Sequence, residues 1–242
     1  GGLLSEKIGP KSTLLLCTVG CTVITVLSGL IVLGGFSIAL MIPLLFVSRF
    51  LLGAFQGPLF PATAGGVIAR WFPSGSWALP NGMTSTALAL GSASTPPIIV
   101  YLAEYFGWES TFFLISILGV IGALIWWKYS TNWPTEHPDI NREELELIGQ
   151  SDFNNNQMSW PLIKEVLTNK DVLFTALGYM SMNYVFFIFY SWIFIYFVTI
   201  RGFNMLEGSL LASLPFLMGA IGATCGGFLC DRLQMRYGVT WG

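Results

Sequence analysis

Six stretches of this chain, 13–33, 42–69, 82–104, 110–128, 172–199 and 206–230, are apolar almost without interruption. Each is long enough to cross the hydrocarbon core of a bilayer, which takes about 20 residues of helix. Lipid offers no partner for a bare N–H or C=O, so the spanning backbone must pair with itself and is helical. A membrane barrel needs strict alternation in segments of about ten residues, and these runs lack it. Only 10% of the residues are charged, against about 25% in soluble domains, which leaves little surface fit for water. The chain is therefore predicted to be an all-α membrane protein with six transmembrane helices.

The basic residues orient it. With the N-terminus in the cytoplasm, Lys7, Lys11, Arg70, Lys128, Arg142, Lys164, Lys170, Arg232 and Arg236 fall inside, and Arg201 alone falls outside. That is the positive-inside pattern of a multi-pass protein, here assigned to a plasma (inner) membrane. The polar stretch 129–171, with Pro134, Pro138 and the acids Glu143, Glu144 and Glu146, is then a cytoplasmic linker. Within it, Asn141 followed by Glu144 resembles a helix start, and Leu145 and Ile148 form its apolar stripe. No basic face for nucleic acid is present. The single histidine, His137, lies in this polar segment, no metal-ligand or phosphate-cradling pattern is seen, and the four cysteines read as small hydrophobes. The composition thus points away from an enzyme and predicts neither cofactor nor metal. Opening on Gly1 and closing on Gly242, the sequence reads as part of a longer chain.

An internal repeat divides it. Gly1-Gly2-Leu3-Leu4-Ser5-Glu6-Lys7-Ile8 and Gly226-Gly227-Phe228-Leu229-Cys230-Asp231-Arg232-Leu233 share a pattern of Gly-Gly-x-Leu-x-acid-base-aliphatic, with six spans between the copies. Both copies lie on the cytoplasmic side. Six helices without a change of orientation imply two similar halves related by an axis along the membrane normal, as in major facilitator carriers. Residues 1–128 are then four helices of the first half, 129–171 the linker, and 172–242 the first two helices of the second half. Gly2, Glu6, Lys7, Gly9 and Lys11 of the first copy, and Gly227, Asp231 and Arg232 of the second, are candidate gating residues. The small residues of 82–95 and 208–227 would let the halves pack closely.

Arg49 is the one basic residue inside a span. An ionised arginine there costs at least about 2.5–3.5 kcal/mol and is normally functional. Its planar fork matches a carboxylate; a helix tie or an outward-snorkelling side chain is the alternative. Arg49, Gln56 and Thr63 recur every seven residues, so on an ideal helix they share one face with Gly53 and Phe60.

Taken together, the repeat, the run from Arg49 to Ala62, Arg70-Trp71-Phe72-Pro73, Asn81-Gly82, Thr95-Pro96-Pro97, Gly107-Trp108, Pro134-Thr135-Glu136-His137-Pro138, Trp192 to Tyr196 and Leu214-Pro215-Phe216 resemble the anion:cation symporter family of the major facilitator superfamily. The resemblance implies a twelve-helix carrier of which helices three to eight are present, truncated at both ends. It implies transport of small organic anions, carboxylates or sugar acids, coupled to H+ or Na+ or driven by potential, with the lipid bilayer as the other partner. By the same resemblance Asn183 and Tyr184 join Arg49 and Gln56 at the substrate. Departures stand out: Gln56 replaces the family's usual Glu, its proton carrier, and Ser76-Trp77 replaces a Glu-Arg pair, which predicts a weakened gate. Met182 stands where the vesicular glutamate branch has Arg. A non-transporting binder or degenerate carrier is the competing reading.

Overall fold

A computed structural model describes residues 2–73, 76–148 and 160–237; Gly1, residues 74–75, linker residues 149–159 and the closing residues 238–242 lie outside it. Its described residues contain helices and turns and no strand. In chain order the helices are α1 (Gly2–Ile8), α2 (Pro10–Leu33), α3 (Ile38–Trp71), α4 (Ala78–Phe106), α5 (Trp108–Tyr129), α6 (Arg142–Ile148), α7 (Trp160–Thr168), α8 (Lys170–Ile200) and α9 (Met205–Tyr237). Six of the described helices, α2 to α5, α8 and α9, are long and apolar enough to cross a membrane. They correspond to the six apolar runs and extend a few residues past them into the polar flanks.

The connections are short. One residue, Gly107 with φ 80°, separates α4 from α5; only glycine reaches that backbone region cheaply. Gly9, φ 84°, likewise separates α1 from α2, and Pro10 follows at the first helical position, where its missing N–H costs nothing. Asn141 opens α6 as expected: its side-chain oxygen accepts the Glu144 N–H at 2.8 Å, and its own N–H donates to Glu144 Oε2 at 3.3 Å.

α3 is not one regular helix. α-Helical bonding ends at Gln56, resumes over Leu59–Pro61, widens to a π-helix over Ala62–Ile68 and closes over Ala69–Trp71. The cause is in the sequence. Pro58 and Pro61 have no N–H for the carbonyls of Ala54 and Gly57, so the ladder breaks and re-forms with a different period. The seven-residue stripe therefore holds from Arg49 to Gln56 and loses its ideal register before Thr63.

Packing falls into two groups. α2 lies between α3 and α5, where the Ser28 hydroxyl donates to Ser48 Oγ at 3.2 Å and Gly29 lies against Phe112 and Phe113. α4 pairs along its length with α9, the most extensive helix contact among the described residues. α8 buries no residue; Phe186 and Tyr190 hold it to α9 through Phe216, with ring centroids 5.8 and 5.7 Å away.

Candidate functional site

The predicted site residues fall into three places. On α3, Arg49 and Gln56 are both exposed on the same face, and the Arg49 guanidinium sits 6.0 Å from the Phe112 ring at the start of α5. Among the described residues Arg49 makes no ion pair. Its one contact among the described residues is that ring, which leaves the exposed guanidinium able to take an anion. Gln56 stands at the helix break, next to the Ala54 and Gly57 carbonyls that the prolines leave without their usual donors.

On α8, Asn183 and Tyr184 line an open cavity of 430 Å³ with Met180, Phe187, Ile188 and Trp192. All six belong to α8, so this hollow follows a single helix. The Asn183 amide donates to the Tyr179 carbonyl at 2.8 Å and keeps its oxygen for a ligand, while Tyr184 is 70% exposed.

The third place is the second motif copy. Asp231, 7% exposed, reaches from α9 to the start of α4, where the Ala78 and Leu79 N–H groups donate to its two carboxylate oxygens at 3.1 and 2.8 Å. A helix leaves its first N–H groups without internal partners. Here all are accounted for: Ala78 and Leu79 use Asp231, Pro80 has none, and Asn81 donates to the Trp77 carbonyl at 3.2 Å. The carboxylate also meets the positive end of the α4 dipole. The donors are main chain, so this contact does not run through the side chains of Ser76 and Trp77. Trp77 instead donates its ring N–H to the Phe72 carbonyl at 3.0 Å. Arg232, next along, lies over the Phe228 ring at 5.0 Å.

Below Asp231 the two helices approach until side chains no longer fit. A Cβ on Gly82 would stand 2.7 Å from the Ala223 carbonyl, and one on Gly227 2.8 Å from the Ala78 carbonyl. Thr86 Oγ1 and Thr224 Oγ1 are 2.6 Å apart, and the Ser213 hydroxyl reaches the Ala93 carbonyl. Not every small residue serves the contact, since Gly91, Gly219, Gly222 and Gly226 have no atom within 4 Å of a built Cβ.

The first copy is anchored differently. Ser5 is buried where Gly66 of the π segment passes, and a Cβ on Gly9 would collide with the Asn132 side chain. Asn132 Oδ1 accepts the Lys11 N–H at 3.1 Å, and the Lys11 carbonyl accepts the Trp126 ring N–H at 3.1 Å. Arg70, 9% exposed, donates to the Asn132 carbonyl at 3.4 Å and stacks 4.1 Å over Trp133. Glu136 accepts the N–H groups of Asn132 and Trp133 at 3.2 and 3.3 Å. Gly2, Glu6 and Lys7 remain exposed. Sequence reasoning missed this cluster because it used Arg70 as an orienting charge and as part of the Arg70-Trp71-Phe72-Pro73 motif, with no partner assigned to it. Its signal was the tryptophan and glutamate beside Pro134, side chains able to stack on and pair with a guanidinium. Among the described residues no group of His, Cys, Asp and Glu is arranged to hold a metal.

Comparison with known proteins gives a consistent result. The family profile of the Major Facilitator Superfamily matches residues 1–242. The chain is 33% identical, over 98% of its length, to the probable galactarate/D-glucarate transporter GudP of Bacillus subtilis, covering 53% of that protein. It is 33% identical over 98% of its length to the hexuronate transporter of Bacillus subtilis, covering 52%. The chloroplastic ascorbate transporter of Arabidopsis thaliana is 27% identical over 98% of the chain and is covered to 42%. The chain thus spans about half the length of the curated relatives it matches.

Proposed function

The chain belongs to the Major Facilitator Superfamily, and on that basis we propose that it forms the central six spans of a carrier that moves small organic anions across a membrane by alternating access. Residues 1–128 supply four helices of one half, 129–171 the linker, and 172–242 two helices of the other. The α4–α9 pair is the seam between them. The side holding Asp231, Lys7 and the linker is cytoplasmic, in a plasma membrane, as the basic residues favour.

Arg49 is the observation that carries the reading. It is a permanent cation on a spanning helix, exposed on the face it shares with Gln56 and, among the described residues, without an acidic partner. A carboxylate satisfies it with two parallel hydrogen bonds. The sugar acids in the relatives' names supply that group. In the complete carrier, Arg49→Ala abolishes uptake of D-glucarate into proteoliposomes while membrane insertion is unchanged. Arg49→Lys keeps part of it, because an ammonium keeps the charge and loses the fork. Uptake by Arg49→Ala at the parental rate overturns the site.

Gln56 bears on coupling. An amide neither gains nor loses a proton across the accessible pH range, so transport here is driven more by membrane potential than by a proton gradient. Gln56→Glu adds a pH dependence, with uptake rising as the outside is acidified. The check is uptake across about pH 5.5 to 8 with the potential clamped, a range in which a desolvated glutamate near an arginine titrates. Steep pH dependence of the parent, retained in Gln56→Ala, would place the coupling group elsewhere.

A further inference from the structure

Three helices meet beside Arg49. α3 brings Ser48 and Arg49, α2 brings Ser28 and Gly29, and α5 brings Phe112. Ser28 and Ser48 are buried and joined through their hydroxyls at 3.2 Å, which ties α3 to α2 one residue before Arg49. Gly29, the next residue of α2, lies against Phe112: a Cβ there would stand 3.0 Å from the Phe112 Cβ. The Trp108 ring meets the Phe112 ring at 68°, with centroids 6.4 Å apart. Phe112 is thereby fixed between α2 and Trp108, and the Arg49 guanidinium carbon lies over its ring, 6.0 Å from the centroid. We propose that Phe112 is the positioning residue of the anion site, holding the unliganded Arg49 in place by the attraction between cation and ring. The inference rests on the reading of Arg49 as the carboxylate site.

What the contact leaves free is decisive. A cation over an aromatic face is drawn by the negative charge of the ring and surrenders no N–H donor. An acidic partner would take the same two parallel bonds that a substrate carboxylate needs. The ring therefore steadies the charge without competing for it. A long side chain that is already held loses less conformational freedom on binding, and the ligand binds more tightly for it. Phe112 suits the task because its own place does not depend on Arg49: the Gly29 contact and the Trp108 ring set it. Phe113 is a built-in comparison. Its ring also meets Gly29, with Cζ 3.0 Å from a built Cβ, and among the described residues no cation lies over it. Two neighbouring rings thus share the packing against α2, and Phe112 is the one that faces the charge.

The test uses the purified full-length carrier, with D-glucarate binding measured by calorimetry and uptake measured in proteoliposomes. Fluorine in place of the Phe112 ring hydrogens keeps the shape of the ring and weakens its negative face. That change, and Phe112→Leu, should raise Kd and KM for D-glucarate roughly fivefold, the scale of a partly exposed cation–ring contact, with the maximal uptake rate held. Phe112→Tyr keeps the ring and keeps the parental affinity. The same fluorination at Phe113 leaves Kd where it was. An unchanged Kd on fluorinating Phe112, while Arg49→Ala still abolishes binding, overturns the positioning role and leaves the carboxylate site standing. Loss in Phe112→Leu without loss on fluorination overturns it too, because packing would then be the cause, and so does equal loss on fluorinating Phe113. Should Phe112→Leu fail to fold, the fluorinated ring decides alone. A parent that does not bind D-glucarate, or an Arg49→Ala variant that binds like the parent, removes the carboxylate site and the role of Phe112 with it.

Discussion

Asp231 lies buried against the start of α4, while Glu6, at the matching position of the first copy, is exposed. The two eight-residue stretches share a pattern, yet their partners differ in kind. The second copy, on α9, holds the start of α4, a helix much earlier in the chain, through main-chain donors and glycine-to-carbonyl contacts. The first is fixed to its own group through Ser5, Gly9 and the Asn132 turn, and it presents Gly2 and Glu6 outward. A repeated motif thus does not specify a contact. What it specifies is a short acid-bearing segment whose role depends on which helix start lies opposite.

The strongest way to break this comparison is to remove the acid that is seated. Asp231→Ala leaves two half-buried N–H groups unpaired, at about 1–3 kcal/mol for each one orphaned. The closed α4–α9 pair should loosen by roughly a hundredfold in equilibrium. Uptake by the complete carrier should fall below about a tenth of the parental rate, and a cysteine placed at Thr86 should become open to alkylation. Glu6→Gln in the 242-residue chain, by contrast, changes thermal stability in detergent by less than about 0.5 kcal/mol. Equal effects of the two substitutions would erase the distinction between the copies.

Glycine gives a finer test of the same contrast. Gly227→Ala puts a methyl group 2.8 Å from the Ala78 carbonyl, and such overpacking costs about 1–3 kcal/mol. Gly2→Ala meets nothing within 4 Å. The first should lower the unfolding midpoint of the detergent-solubilised chain and the second should leave it in place. A matching drop for Gly2→Ala would mean that the first copy is also seated.

The smallest effect concerns the anchor of the first copy. Asn132→Ala removes the acceptor of the Lys11 N–H, worth about 0.5–1.5 kcal/mol. Faster proteolysis within 1–11 is expected, with the α4–α9 pair undisturbed; unchanged cleavage would show that Asn132 does not hold the segment.

The six spans were legible because an apolar run of about 20 residues matches the thickness of a bilayer and is ill suited to water. The Arg49–Gln56 face was legible for the same reason, since a charge in such a run stands alone. Three things were not. The break in α3 could have been read from Pro58 and Pro61, but the stripe was counted at an ideal spacing of about 3.6 residues per turn. The Arg70 cluster joins residues near 10, 70 and 132, a convergence that no local spacing encodes. And the partner of Asp231 is main chain, so it could not be identified from side-chain motifs.

Gly107 makes a lever of α4. The helix runs 29 residues from that joint, with Pro96 and Pro97 inside it, about 43 Å at roughly 1.5 Å per residue. A torsion change of about ten degrees at Gly107, if carried through the prolines, swings the far tip by about 7 Å. Ala78 and Leu79 are that tip. A restraint placed there opposes rotation with the longest available arm, and a single carboxylate can resist a torque that would need several contacts nearer the fulcrum. Releasing it frees the largest displacement for the smallest change in bonding.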